Sequence, residues 1–204
     1  MSGIPFIVSA PSGAGKTTLC KMAVDFFPDL RHSISYTTRK PRPGEVDGVD
    51  YKFIDDAVFD KMVESGEFLE YAGVYGKRYG TSGKDLEALL DQGLSVILEI
   101  DVQGADKVRP VLKNGVDIFI LPPSIEACAD RLRSRGKDTP VEIEKRLKIA
   151  EDEIKKAPEY DYIIVNDDLE EAFEKFKSII TAEKAKTERM LGAVERLFGA
   201  SVKS

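Results

Sequence analysis

Apolar residues in this chain gather into short runs separated by longer amphipathic stretches. Residues 4–9 form the first run, partly β-branched and broken by Pro11-Ser12-Gly13. Leu94–Ile100 is a second run, closed by acidic residues. Val116–Leu121 is a third, ended by Pro122-Pro123, and Tyr162–Val165 is a fourth. Runs of this length between strong breakers predict buried strands. The intervening segments have helical spacing. From Lys16 to about Phe27, apolar residues fall at Leu19, Ala23, Phe26 and Phe27, and Pro28 stops the pattern. Ser82–Gln92, Ser124–Ser134, Val141–Lys156 and Leu169 onward follow the same period, with Ser124 and Asp168 placed to cap their helices. Strands alternating with helices predict an α/β fold, a parallel sheet core covered by helices on both faces.

Two segments depart from that rhythm. Residues 33–81 are richer in Tyr, Thr, Arg and Gly, and they alternate in short stretches such as Tyr51-Lys52-Phe53 and Phe68-Leu69-Glu70-Tyr71. A small, mixed α/β, partly antiparallel insertion is expected there. Residues 125–156 carry both charges densely, with Arg131, Arg133, Arg135 and Arg146, and suit a helical lid. The core is then expected in 3–32, 82–124 and 157–198. The tail after Lys186 is helix-prone and frays over 199–204.

Composition narrows the chemistry. The 204 residues suffice for one sizeable core and a mobile insertion. The formal net charge of −6 argues against a nucleic acid polymer as partner, so any anion site must be a local concentration of positive charge. Two cysteines, Cys20 and Cys128, and one histidine, His32, provide neither a disulfide framework nor a zinc set. They are expected to be reduced core thiols and a packing or surface imidazole. The N-terminus lacks a signal-peptide pattern, and no apolar run approaches the roughly 18 residues of a membrane span. No membrane partner and a cytoplasmic location are therefore expected.

Ala10-Pro11-Ser12-Gly13-Ala14-Gly15-Lys16-Thr17-Thr18 joins the first strand to the first helix. A phosphate chain needs several backbone N–H groups turned inward, which glycine permits, and a helix N-terminus aimed at the anion. Lys16 can bridge the outer phosphates of ATP, and the Thr17 hydroxyl can ligate Mg2+. The strict pattern has glycine where Ala10 stands; the remainder matches. The second strand ends in Glu99-Ile100-Asp101. The i, i+2 spacing predicts both acids on one face at the carboxyl end of the sheet, where an acid can hold Mg2+ and its waters. Residue spacing does not divide the roles between them.

A second cationic cluster lies in Ser35-Tyr36-Thr37-Thr38-Arg39-Lys40-Pro41-Arg42-Pro43-Gly44-Glu45. Arginine forks bind phosphate bidentately, and tyrosine and threonine hydroxyls can complete such a shell. Glu70 in ionised form only accepts hydrogen bonds, which suits a base edge presenting adjacent donors, as guanine does.

These stretches, with Asp47-Gly48-Val49-Asp50-Tyr51, Tyr79-Gly80-Thr81, Glu99 to Gly104 and Val165-Asn166-Asp167-Asp168, resemble the guanylate kinases over roughly residues 3–185. The resemblance implies transfer of the γ-phosphate of ATP to GMP, with Mg2+ as cofactor. It implies that Ser35, Glu70 and Thr81 hold the guanine, and that Arg39, Arg42, Tyr51 and Tyr79 hold the GMP phosphate. Asp101 is implied near both Mg2+ and GMP, with Glu99 beside it. Arg131, Arg135 and Arg146 resemble lid arginines that reach the ATP phosphates, and Asn166 an adenine-side contact. The implied catalytic set is Lys16, Arg39, Arg42, Asp101, Arg131, Arg135 and Arg146, with Thr17 and Asp101 at the metal, directly or through water. Use of dGMP and the choice between monomer and homo-oligomer stay open. The competing expectations are a non-catalytic protein-binding module of the same fold and a P-loop kinase for another nucleoside monophosphate.

Overall fold

The computed structural model describes residues 3–74, 76–134 and 139–198. In chain order its elements are β1 (Pro5–Ser9), α1 (Lys16–Phe26), β2 (Leu30–His32), β3 (Tyr36–Thr37), β4 (Lys52–Phe53), α2 (Asp56–Glu64), β5 (Phe68–Val74), β6 (Lys77–Ser82), α3 (Gly83–Asp91), β7 (Ser95–Glu99), α4 (Val102–Val108), β8 (Val116–Leu121), α5 (Ile125–Ser134), α6 (Pro140–Ile154), β9 (Tyr162–Val165), α7 (Leu169–Lys184) and α8 (Thr187–Phe198).

Five strands form one parallel sheet in the order β2-β7-β1-β8-β9. β1 is central and wholly buried, because apolar packing covers both its faces. Phe6, Val8, Ile97, Ile118 and Ile120 pack with Leu19, Cys20 and Ala23 of α1 and Phe176 and Ile180 of α7. Ile7, Val96, Leu98 and Phe119 pack on the other face with Leu86, Val102, Ala105 and Val108. Each of the buried Val, Leu, Ile and Phe side chains contributes about 1.5–3 kcal/mol of transfer free energy. This is the expected α/β core; Cys20 lies within it, and both cysteines are buried and free. No helix among the described residues is long and apolar enough to cross a membrane.

The structure corrects the pattern reading in three places. A fifth strand, β2, pairs with β7 at the sheet edge. Three residues, one of them the exposed Arg31, carry no readable period. His32 ends this strand half-buried, and burial holds its pKa below the ordinary value. The run Tyr162–Val165 is not fully buried: Ile163 is 48% and Val165 45% exposed. As an edge strand, β9 is packed on one face by α7. Phe26 completes the apolar spacing of α1 yet is 56% exposed, lying edge-on to Phe27 and Phe173.

Residues 36–82 build a second sheet of four strands, ordered β4-β3-β6-β5. β5, β6 and β3 run antiparallel, and β4 adds in parallel. Helix α2 lies in the same segment, capped by Asp55 on the Val58 N–H. Ser124 accepts from the Ala127 N–H and Asp168 from the Glu171 N–H, so both expected caps are formed.

Candidate active site

The carboxyl end of the parallel sheet carries the phosphate loop. Gly13 and Gly15 have φ of 90° and 91°, a left-handed conformation that a side chain would strain. Gly15 caps α1 without any side-chain hydrogen bond, so the first-turn N–H groups have no side-chain cap and are available to an anion. Ala10 is buried with Ala14 in the core, which explains why a methyl is accommodated where the strict pattern has glycine. Lys16 Nζ donates to the Ile100 carbonyl at 2.9 Å, bringing the loop to the end of β7. Together residues 10–18 floor a cavity of about 440 Å³, walled by Gly73, Asp101, Gln103, Arg146, Ile149 and Glu153.

The two strand-end acids separate. β7 ends at Glu99, so strand alternation does not reach Asp101. The Glu99 carboxylate accepts from the Thr17 hydroxyl. Asp101 turns back as the cap of α4, accepting from the Gly104 N–H at 2.7 Å, and lines the cavity. Among the described residues, no three His, Cys, Asp or Glu side chains converge as a metal cage. Mg2+ does not require one, since it is commonly held by one or two carboxylates together with substrate phosphates. Thr17, Glu99 and Asp101 at the phosphate cavity are a hard oxygen donor set that fits it.

The second sheet presents a different cluster. Glu70 of β5 and Thr81 of β6 are both buried, and the Thr81 hydroxyl donates to Glu70 Oε1 at 2.8 Å. Burial raises the Glu70 pKa above its ordinary value; the Thr81 hydrogen bond opposes this, and Asp101 adds to it. A Cβ built on Gly104 would lie 3.2 Å from both Asp101 Oδ1 and Glu70 Oε2, so the absence of a side chain here lets both carboxylates pack against this glycine. Lys107 Nζ of α4 donates to the Tyr71 carbonyl at 2.7 Å and ties β5 to the core. Nearby, Arg39 is paired bidentately with Glu45 at 2.9 and 2.8 Å and lies over the Tyr51 ring at 5.2 Å. Tyr51 and Tyr79 meet edge-on at 6.0 Å, Ser35 is half-buried, and Arg42 is exposed.

The expected residues therefore fall into two groups. Residues 10–18, Asp101 and Arg146 share the phosphate cavity, with Glu99 reaching it through Thr17. Ser35, Arg39, Arg42, Tyr51, Glu70, Tyr79 and Thr81 belong to the second sheet and its loops, and Glu70 approaches Asp101 across Gly104. Arg131 lies against the loop's support rather than the cavity, donating to the Asn166 carbonyl at 3.0 Å. The Asn166 amide is buried and donates to the Ala14 carbonyl at 2.7 Å. Arg135 lies outside the described residues.

Three contributors were given no role of their own in the sequence reading, although Glu45 and Gly104 lie in its quoted motifs. Gly104 follows Asp101 by one helical turn, but nothing local marks what faces it. Glu45 closes on Arg39 without any periodic signal. Glu153 was readable: with Arg146 and Ile149 it follows the i, i+3, i+7 spacing of one helix face. Burial lifts its pKa to about 7, with Lys16 opposing and Asp101 adding.

A family model described as guanylate kinase matches residues 2–183. A guanylate kinase of Geobacter sulfurreducens is 50% identical over 196 residues, covering 96% of this chain and 97% of the relative. One of Syntrophotalea carbinolica is 51% identical over 197 residues, covering 97% and 94%. A crystal structure of guanylate kinase from Anaplasma phagocytophilum superposes with a TM-score of 0.77 at 36% identity, covering 99% of this chain and 97% of that one.

Proposed function

The chain belongs to the guanylate kinase family, and we propose that it transfers the γ-phosphoryl group of ATP to GMP, giving ADP and GDP. The observation that carries this reading is the approach of Glu70 to Asp101 across Gly104. It sets a buried acceptor for base donors beside the wall of a phosphate cavity. A protein-binding module would have no use for that pairing or for the phosphate loop.

In this reading residues 33–81 are the acceptor-binding unit and 125–156 the lid over ATP. The loop 10–18 cradles the ATP phosphates, with Lys16, Arg131, Arg135 and Arg146 as cations and Asn166 behind the loop. Ser35, Glu70 and Thr81 read guanine; Arg39, Arg42, Tyr51 and Tyr79 take the acceptor phosphate. Mg2+, held through Thr17, Glu99 and Asp101, would neutralise phosphate charge. The second pKa of a phosphate monoester is about 6, so the attacking oxygen is ionised at neutral pH and no general base is needed. The protein's task is to bring two like-charged groups together in line. Lys16 and the arginines offset that repulsion and the charge of the transition state. Closure of the two units over the cavity excludes water that would otherwise hydrolyse ATP. A cytoplasmic setting suits the two unpaired buried thiols.

The test is ADP release measured with GMP, AMP, UMP and CMP as acceptors. Turnover is expected with GMP, with the others far behind. Lys16→Met should lower kcat by at least about 10²-fold, as loss of one preorganised charge does elsewhere. Preference for another monophosphate, or a Lys16→Met enzyme with near-normal kcat, overturns the reading.

A further inference from the structure

We propose that Glu45 is a positioning residue for the acceptor phosphate, holding Arg39 by one edge of its guanidinium so that the adjacent edge is oriented for the phosphate. The inference rests on the reading that the acceptor is a nucleoside monophosphate.

A guanidinium has five N–H donors in a fixed plane. In Arg39, Nη1 donates to Glu45 Oε2 at 2.9 Å and to the Lys40 carbonyl at 2.9 Å. Nη2 donates to Glu45 Oε1 at 2.8 Å. The Nη1–Nη2 edge is thus filled by the carboxylate. Nε is buried and has no hydrogen-bond partner among the described residues. Nε–H and the second Nη2 hydrogen lie on the adjacent edge, a parallel pair of donors that matches two phosphate oxygens. The Tyr79 phenol is a hydrogen-bonding neighbour of this guanidinium, and the Tyr51 and Phe53 rings lie 5.2 and 5.8 Å from its centre.

The same carboxylate reaches further. Glu45 Oε2 accepts from the Arg42 N–H at 2.7 Å, and the Glu45 N–H donates to the Arg42 carbonyl at 3.0 Å. One side chain therefore closes the turn carrying Arg42 and orients Arg39. Arg39 and the Arg42 N–H hold Glu45 ionised, lowering its pKa to about 2. The pair does not compete with the phosphate, because it uses the other edge of the fork. A short, charge-assisted clamp on a stacked arginine reduces the freedom that phosphate capture would otherwise have to remove.

The experiment is a double-mutant cycle with Glu45→Gln and Arg39→Ala, followed by KM for GMP, KM for ATP, kcat, and inhibition by guanosine, which lacks the phosphate. Glu45→Gln is expected to raise KM for GMP on the order of tenfold to a hundredfold. KM for ATP and the guanosine inhibition constant should be unchanged. In the Arg39→Ala background, Glu45→Gln should cost nothing further. An equal cost in both backgrounds overturns the proposal, as does a loss of guanosine inhibition that parallels the loss of GMP. If the acceptor panel names a different monophosphate, the guanylate reading fails. The same cycle on that nucleotide and its nucleoside then judges Glu45 separately.

Discussion

Asn166 and Ala14, 152 residues apart in the chain, are joined by a 2.7 Å hydrogen bond from the amide of the first to the carbonyl of the second. The bond holds the phosphate loop from behind. A Cβ on Gly15 would come within 2.3 Å of the same amide nitrogen, so loop and brace are fitted to each other.

Asn166→Ala leaves the Ala14 carbonyl without its donor in a buried place, a cost of about 1–3 kcal/mol. In a chain of this size, each kcal/mol corresponds to about 2–4 °C in Tm. KM for ATP should rise, and it should rise in the same proportion for other nucleoside triphosphates. A brace behaves so; a contact that reads adenine would instead change selectivity among triphosphates. Calorimetry with a triphosphate panel separates the two.

Glu70→Gln should reduce the kcat/KM preference for GMP over AMP by about two orders of magnitude, because a carboxamide cannot accept from two neighbouring donors equally. KM for ATP should hold. The pH profile adds a second check. Glu70 must be ionised to accept both donors, and its pKa is raised above the ordinary 4.5. The acid limb of kcat/KM for GMP should therefore begin at a pH above 4.5, and Glu70→Gln should remove that limb.

Gly104→Ala tests the shared space between Glu70 and Asp101. Within α4, alanine is the better helix former by about 1 kcal/mol, so Tm should not fall for that reason. The added methyl nevertheless meets both carboxylates at 3.2 Å. A rise in KM for GMP of about tenfold, or about 1.4 kcal/mol, is expected with little change in KM for ATP. Unchanged GMP kinetics would remove Gly104 from the site.

Glu153 yields a stability prediction. Its folded pKa is raised to about 7, so the folded state holds the proton more tightly than the unfolded chain. That contribution is complete below the ordinary 4.5 and is lost as pH rises through about 7. Glu153→Gln should accordingly raise Tm at pH 8 and change it little at pH 4.5. Thermal melts of both proteins across this range check the sign.

The parallel sheet was largely legible because its inner strands are continuous apolar runs and its main helices have long periods. What failed was short or set by distant neighbours. Leu30–His32 is too brief to show a pattern, and Val102–Val108 lies behind an acid that reads equally well as a strand end. The phosphate loop was visible because local glycines and a helix start define it. The brace by Asn166 was not, because a contact spanning most of the chain leaves no local trace. Arg39 was readable by type as a candidate phosphate contact, whereas its clamp by Glu45 depends on a loop conformation that residue types do not encode.

Strand order has a consequence for synthesis. β1 must wait for Ser95–Glu99 before its first neighbour exists, then for Val116–Leu121, while the loop that leaves it stays unbraced until Asn166 appears. Closing such long chain segments is slow in entropic terms. On the ribosome, where residues emerge N-terminal first, the loop of the cradle emerges 152 residues ahead of the Asn166 that braces it. A chain truncated before β9 would contain the whole phosphate-loop motif and lack the support that shapes it.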